Sequence, residues 1–402
     1  MSFKALLKAA LRRTASIAYP LTRRLERSLH TFNSRLKATP YPLTVETKIE
    51  GIRALTLGYL SQMRVTRSGQ FAGYRHSAST TRPVLYGTLA ALLTRHLYGI
   101  QNAQTAEELA LVQQFQSDDG LFRDPVIACK LAETEDSWGW RHLTLHALMA
   151  LALYGVPACK EIRYLDRFKD KDRFRAYLDS RDWGARVAWT SNELQNVGVM
   201  LQYARDYQND PTADGLLELL YDILDARQDP QTGLYGHRFK TPQELSLGVQ
   251  AGYHFWLLYF YDGKPIRHAE RIIDSVLKTQ NILGGYGVQW NSSACEDIDS
   301  IDPLMRFSRL TDYRRDEVQA SLRRALPALL HNLNSDGGWV FRRHEALTVV
   351  HPQMFSAANE SNLFYTWFRT LGLAYCLRGL DAAPPGFNDV WHFRRVPGCQ
   401  FL

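Results

Sequence analysis

Four carboxylates fall within seven residues of this chain: Glu296, Asp297, Asp299 and Asp302. Acids this close cannot all ionise freely, because each negative charge raises the pKa of its neighbours. Such a cluster could share a proton and keep one carboxylic acid neutral for catalysis, bind a divalent ion such as Mg²⁺, or sit in solvent. Asp302 followed by Pro303 reads as a helix start, with Asp as N-cap and Pro at the first helical position. On that expectation Glu296, Asp297 and Asp299 occupy the turn before the helix, beside Trp290 and Cys295.

More acids and amides recur along the chain, at Glu135-Asp136, Asn192-Glu193, Glu244 and Asn359-Glu360. Each stands where a helix begins after a glycine turn. Capping and the helix dipole alone favour such residues there. Their number also suits a ring of acids around one cavity. His142 and His146 are one helical turn apart, which suits a core or ligand-facing pair, and no third ligand for zinc accompanies them. His254 follows Glu244 in an apolar run and could serve as an acid/base partner. Trp138 and Trp290, with Asn196, complete the candidate lining.

Repetition supplies the elements that must position these groups. The chain reads Gln116-Ser-Asp-Asp-Gly120-Leu-Phe122, then Gln228 to Gly233-Leu-Tyr235, Gln280 to Gly284-Gly-Tyr286, and Asn334 to Gly337-Gly338-Trp339. A degenerate copy is Asp182-Trp183-Gly184. Glycine is expected to end each preceding helix in the left-handed conformation, and the aromatic to pack the chain back. Helices before the turns are amphipathic, as in Leu216, Leu217, Leu220 and Leu224, or Ile272, Ile273 and Val276. Those after them are apolar nearly all round, as over Leu143–Leu153 and Tyr253–Tyr261. One-sided helices alternating with fully apolar ones imply an outer layer around an inner one. The expected fold is all-α, an α/α toroid over residues 61–385, with a basic amphipathic extension at 1–60 and a tail at 386–402.

The composition is that of a globular chain, 45% hydrophobic and 22% charged, with no apolar run of membrane-spanning length. Five widely spaced cysteines without a C-x-x-C pair argue against a disulfide framework or zinc ribbon and suit a reducing, cytoplasmic compartment. Residues 4–37 carry nine Lys or Arg against the single acid Glu26. That segment packs on its own domain or lies on an anionic membrane surface. No nucleic-acid reading module accompanies the charge. No phosphate loop, dinucleotide fingerprint or G-x-S-x-G elbow is present.

The turn Q-x-x-x-G-x-aromatic, together with Asp297-Ile-Asp299-Ser300, resembles the prenyltransferase and squalene-cyclase superfamily of α/α toroids. The acidic segment is similar to the D-x-D-D motif of class II terpene cyclases, with Ser300 in the last position. The resemblance implies an isoprenoid substrate, with Asp299 as the proton donor. Asp297 and Glu296 would hold its proton, and aromatic faces would steady a carbocation. Two other readings stay open. A carbohydrate-active toroid would use paired carboxylates on an oligosaccharide, drawn from Asp299, Glu193, Glu244 and Glu360. A non-catalytic binding toroid would use the acids as caps only.

Overall fold

The structure is a computed structural model, and it describes residues 48–127, 139–236, 239–349, 351–387 and 390–398. The basic segment 1–47 lies outside the described residues, as do Glu135 and Trp138. Twelve α-helices are present among the described residues. In chain order they are α1 (Ile49–Met63), α2 (Leu85–Leu97), α3 (Gln104–Gln114), α4 (Trp140–Leu153), α5 (Lys171–Asp179) and α6 (Val187–Gln208). They continue with α7 (Ala213–Arg227), α8 (Pro242–Asp262), α9 (Ala269–Lys278), α10 (Ala294–Phe307), α11 (Arg315–Leu330) and α12 (Leu363–Gly379).

The even-numbered helices form a closed inner ring. Each packs on the next, α2 on α4, then α6, α8, α10 and α12, and α12 returns to α2. The odd-numbered helices lie outside. Their one-sided character is sharp in α9, which buries Ile272, Ile273 and Val276 and leaves its other face polar. Inner helices bury nearly every residue, as α4 does from Arg141 to Leu153. The fold is therefore an α/α toroid of six helix hairpins.

The repeated turn has a definite job. Gln116 bridges to Phe122, Gln228 to Tyr235 and Gln280 to Tyr286, each pair closing a short antiparallel loop. The glutamine amide donates to the carbonyl of the turn glycine, at 3.0 Å to Gly120, 2.8 Å to Gly233 and 2.8 Å to Gly284. The same amide donates to the next outer element, through Lys160, Arg267 and Ser321 carbonyls. Each copy thus ties a hairpin to its successor. The glycines do not end the helices as expected. Outer helix α3 stops at Gln114, and Gly120 lies five residues beyond its Phe115 cap, inside the loop. Glycine is required there because φ is positive and the next outer segment presses close. A Cβ on Gly284 (φ +96°) would stand 2.1 Å from the Arg324 carbonyl.

The last turn shows how the outer ring closes. A Cβ on Gly337 would meet the Leu55 carbonyl at 2.1 Å, and Thr56 Oγ1 donates to Gly337 O at 3.0 Å. Helix α1 therefore stands after α11 as the next outer helix. The toroid begins with α1, not at residue 61. Its C-terminal end also extends past 385: Val396 is buried, and His392 N donates to Leu97 O. A small antiparallel sheet, β1 (Arg64–Arg67), β2 (Gln70–Arg75) and β3 (Pro83–Val84), joins α1 to α2. A two-stranded pair, β4 (Leu347–Thr348) and β5 (Phe355–Ser356), sits between α11 and α12.

Candidate active site

Helix α10 begins earlier than Asp302-Pro303 suggests. Ser293 is the N-cap and forms a reciprocal capping box with Glu296, nine residues upstream of Asp302. All four acids are therefore on the helix, with Asp302 and Pro303 in its interior. Pro303 has no N–H to donate to the Asp299 carbonyl four residues back. The expected helix start is corrected accordingly, because the capping box satisfies the first amides sooner.

Three of the four acids have an arginine. Arg342 Nη2 donates to Glu296 at 2.9 Å, and Ser293 N and Oγ donate to the same carboxylate. Asp297 accepts from Arg369 Nη1, from Ser292 Oγ at 2.9 Å and from Tyr286 N at 3.0 Å. Asp302 accepts from Arg306 Nε at 2.5 Å, although burial still pushes its pKa up to about 6. Asp299 has no hydrogen-bond or ion-pair partner among the described residues, and it is only 3% exposed. Burial, then the fields of Glu296, Asp302 and Asp297, raise its pKa well above the usual carboxylate range. Asp299 is therefore biased toward its neutral, protonated form.

The turns set which side chains face the centre of the ring. Thr144 Oγ1 on α4 accepts from Phe122 N at 2.8 Å, and Thr366 Oγ1 on α12 accepts from Trp339 N at 3.0 Å. Asp297 accepts from Tyr286 N in the same way. These three anchors point outward to the turns. A residue two positions away lies about 200° around the helix, so it points inward. That rule places His146, Asp299 and Phe368 at one level of the lumen, with His142, Cys295 and Phe364 one turn closer to the helix starts. Helices α4 and α10 stand on opposite sides of the inner ring.

Aromatic and imidazole rings of α2, α4 and α12 pack together on the inner side of the ring. The His142 and His146 rings lie 4.3 Å apart, tilted by 48°, and Tyr86 OH lies 2.8 Å from His142 Nδ1. Phe364 packs against Tyr86, His146, Trp367 and Phe368 with centroids 4.9–5.9 Å apart. Burial is the first cause that lowers all three histidines: His142 falls well below its ordinary value, His146 to about 4 and His254 to about 3. The field of His254 reaches His142. Tyr253, next to His254 on α8, feels Asp302 and Asp299, and its hydroxyl has no hydrogen-bond partner among the described residues. Cys295 keeps its thiol protonated, pushed up by burial and then by Asp299 and Glu296.

Several candidates lie elsewhere. Glu193 is held by Arg141 (3.0 Å), Arg181 (3.1 Å) and Tyr177 OH (2.8 Å), a clamp joining α4, α5 and α6. Glu244 completes the capping box of Thr241 at the start of α8. Glu360 accepts from Ser79 N and Ala357 N, fastening two loops. Asn359 takes a left-handed turn position and accepts from His344 N at 2.9 Å. Trp290 borders a separate recess of about 220 Å³ with Asn281 and His331. Asn196 is fully buried on α6. Among the described residues no group of three His, Cys, Asp or Glu could hold a metal ion. No described helix is long and apolar enough to cross a membrane.

Reasoning from sequence missed Arg369, Arg342 and Tyr253. Only Arg306, four residues after Asp302, offered a local signal. Arg342 and Arg369 lie 46 and 72 residues from the acids they hold.

The described residues define an α/α toroid with a buried acid on one of its inner helices. No protein-family profile matches the chain, and no curated protein matches it. Several solved structures align with the chain at low identity. A polysaccharide lyase aligns with TM-score 0.47 and 11% identity, over 81% of this chain and 94% of that one. An ent-copalyl diphosphate synthase from Streptomyces platensis aligns with TM-score 0.40 and 18% identity. It is matched over 75% of this chain, which spans about half (51%) of the synthase. An α-1,6-mannanase from Salegentibacter sp. HEL1_6 aligns with TM-score 0.43 and 11% identity, over 81% and 97% of the two chains. At these scores the likenesses carry no argument about activity.

Proposed function

We propose that this chain is an enzyme that starts the cyclisation of an isoprenoid by protonating it from Asp299. The observation that carries the reading is the contrast within α10: three acids held by arginines, and one buried, without a partner among the described residues and with its pKa raised. A proton donor must be neutral before the reaction, and burial beside three carboxylates keeps Asp299 so. Once the proton leaves, the Asp299 carboxylate is costly in that site, so burial keeps the acid loaded, and the cation formed on the substrate offsets the carboxylate's charge. Aromatic rings of Tyr86, Phe364 and Phe368 offer negative faces to a cation at about 0.5–2 kcal/mol each. Neutral histidines add no repelling positive charge. Arg369 and Arg342 steady the acids at the α10 start without touching Asp299. The chemistry needs no metal at the acid, although Mg²⁺ could accompany a diphosphate substrate.

Glycoside hydrolysis asks for a second carboxylate about 5–9 Å from the first. Glu193, Glu244 and Glu360 each have structural partners, which weighs against that role. The test is an incubation of purified protein with geranylgeranyl diphosphate, farnesyl diphosphate and squalene, with and without Mg²⁺. A cyclised product by mass spectrometry, absent from Asp299→Asn, is expected. Absence of product from every prenyl substrate, with turnover of an oligosaccharide, would overturn the reading.

A further inference from the structure

A recess of about 220 Å³ is bounded by the α9–α10 loop, through Asn281, Trp290, Asn291 and Ser292, and by the end of outer helix α11, through His331 and Asn332. Among the described residues no inner-helix side chain borders it, so it is distinct from the surroundings of Asp299. Pockets that enclose drug-sized molecules run to about 300–1,000 Å³. This smaller one has room for a single ring and not for a chain of isoprene units.

The two buried amides of the recess have a fixed orientation. Asn291 Nδ2 donates to Arg343 O at 2.6 Å, and Asn332 Nδ2 donates to Ala328 O at 3.0 Å. A carbonyl can only accept, so neither amide can be turned round. Each leaves its Oδ1 as a spare acceptor. Asn332 is only 2% exposed, and its Oδ1 has no hydrogen-bond partner among the described residues. No described donor reaches Asn291 Oδ1 either. A buried oxygen without a donor costs about 1–3 kcal/mol, and a hydroxyl seated in the recess removes that cost.

Electrostatics narrows the class of ligand. No Asp, Glu, Lys or Arg side chain borders the recess. The C-terminus of α11 lies beside it, with the partial negative charge of its last carbonyls, which disfavours an anion. A cation is disfavoured from behind the wall. Arg343 Nε donates to His331 O at 2.8 Å, and Arg369 Nη2 donates to Ser292 O at 3.0 Å. A neutral molecule bearing hydroxyl donors meets both conditions. Half-buried Trp290 adds an aromatic surface, whose negative face suits the C–H edges of a saturated ring.

We propose that this recess binds one neutral, polyhydroxylated ring, a single saccharide unit. Its hydroxyls donate to Asn291 Oδ1 and Asn332 Oδ1, and its C–H face packs on Trp290. The assignment is independent of the reading of Asp299. The unit is a free monosaccharide or the end of a longer glycan, because both present the same hydroxyls to a recess of this size.

The full-length protein is mixed with methyl glycosides of glucose, galactose and mannose and with N-acetylglucosamine, and binding is read by saturation-transfer NMR. At least one sugar is expected to bind, about tenfold more weakly in Asn332→Leu and in Trp290→Ala. Circular dichroism checks the fold of each variant, and Asn332→Leu keeps the side-chain volume should Trp290→Ala fail to fold. Disaccharides ending in the same unit separate the two sources: tighter binding marks a glycan end, weaker binding a free sugar. Asp299→Asn should bind the sugar as wild type does. No transfer to any of these sugars would overturn the proposal, as would unchanged binding in both recess variants. Binding lost in Asp299→Asn would overturn it by placing the sugar in the lumen. Displacement of the sugar by equimolar inorganic phosphate or tetramethylammonium would overturn the neutral class.

Discussion

Asp297 and Thr366 occupy the same station in their repeats. Each accepts the backbone N–H of its turn aromatic at 3.0 Å, from Tyr286 and from Trp339. Thr144 does the same for Phe122. The first acid of the D-x-D segment is thus built into the toroid as a turn anchor, and Arg369 balances its charge. Asp299, two residues on, is free of that duty and turns inward.

Removing Arg369 should be far more damaging than removing Asp299. Arg369→Met leaves Asp297 as a buried charge without its cation, costing about 3–5 kcal/mol. Denaturant unfolding followed by circular dichroism would read the shift. A loss below about 1 kcal/mol would show that Ser292 and Tyr286 N suffice for the carboxylate.

Asp299→Asn should behave in the opposite way. Activity is expected to fall by about 10²–10⁴-fold, the usual contribution of a general acid, while the fold persists. Because the native pKa of Asp299 lies above its unfolded value, the folded state holds the proton more tightly. That stabilisation is complete below the unfolded value and is lost as pH rises through the native one. The variant should therefore gain stability over wild type as pH climbs, and a melting series from about pH 5 to pH 8 checks the slope. Wild-type activity should fall with rising pH through the same titration. A melting difference that shrinks toward high pH would contradict the neutral acid.

The anchors can be tested where no acid is involved. Thr144→Val and Thr366→Val each leave a buried backbone N–H without its acceptor, at about 1–3 kcal/mol. Equal costs at α4 and α12 are expected, measured by chemical denaturation. A negligible cost at both positions would mean the turns are held by packing of Phe122 and Trp339 alone.

Two glycines separate close approach from backbone conformation. Gly155 has φ +70° and open space where an alanine methyl would stand, so Gly155→Ala should cost about 1–2 kcal/mol for the left-handed residue alone. Gly284→Ala meets the Arg324 carbonyl as well and should cost clearly more, with the α9–α11 contact loosened. Thermal melting of the two variants side by side gives the comparison.

Much of the architecture was legible in the residue order. Periods of 3.6 and the alternation of one-sided with fully apolar helices are local properties, and so is a turn that needs glycine and an aromatic. They define two layers of helix hairpins. The acid cluster on α10 was equally visible, because its members are neighbours along the chain. What the sequence could not divide was the roles of those acids. Glu193, Glu244 and Glu360 look like Asp299 as residue types, yet each is held by partners that only packing or cap geometry supplies. Arg342 and Arg369 reach the acids across 46 and 72 residues. The Asp302-Pro303 pair shows the same limit in reverse. Its helix-start signal is strong by itself, but the Ser293–Glu296 capping box begins the helix first and carries both residues into the interior. Sequence determined the toroid and the place of its acids along the chain. Tertiary structure alone decided which acid lacks a cation, because an ion pair depends on distance in space, and burial makes that one missing partner decide the protonation state.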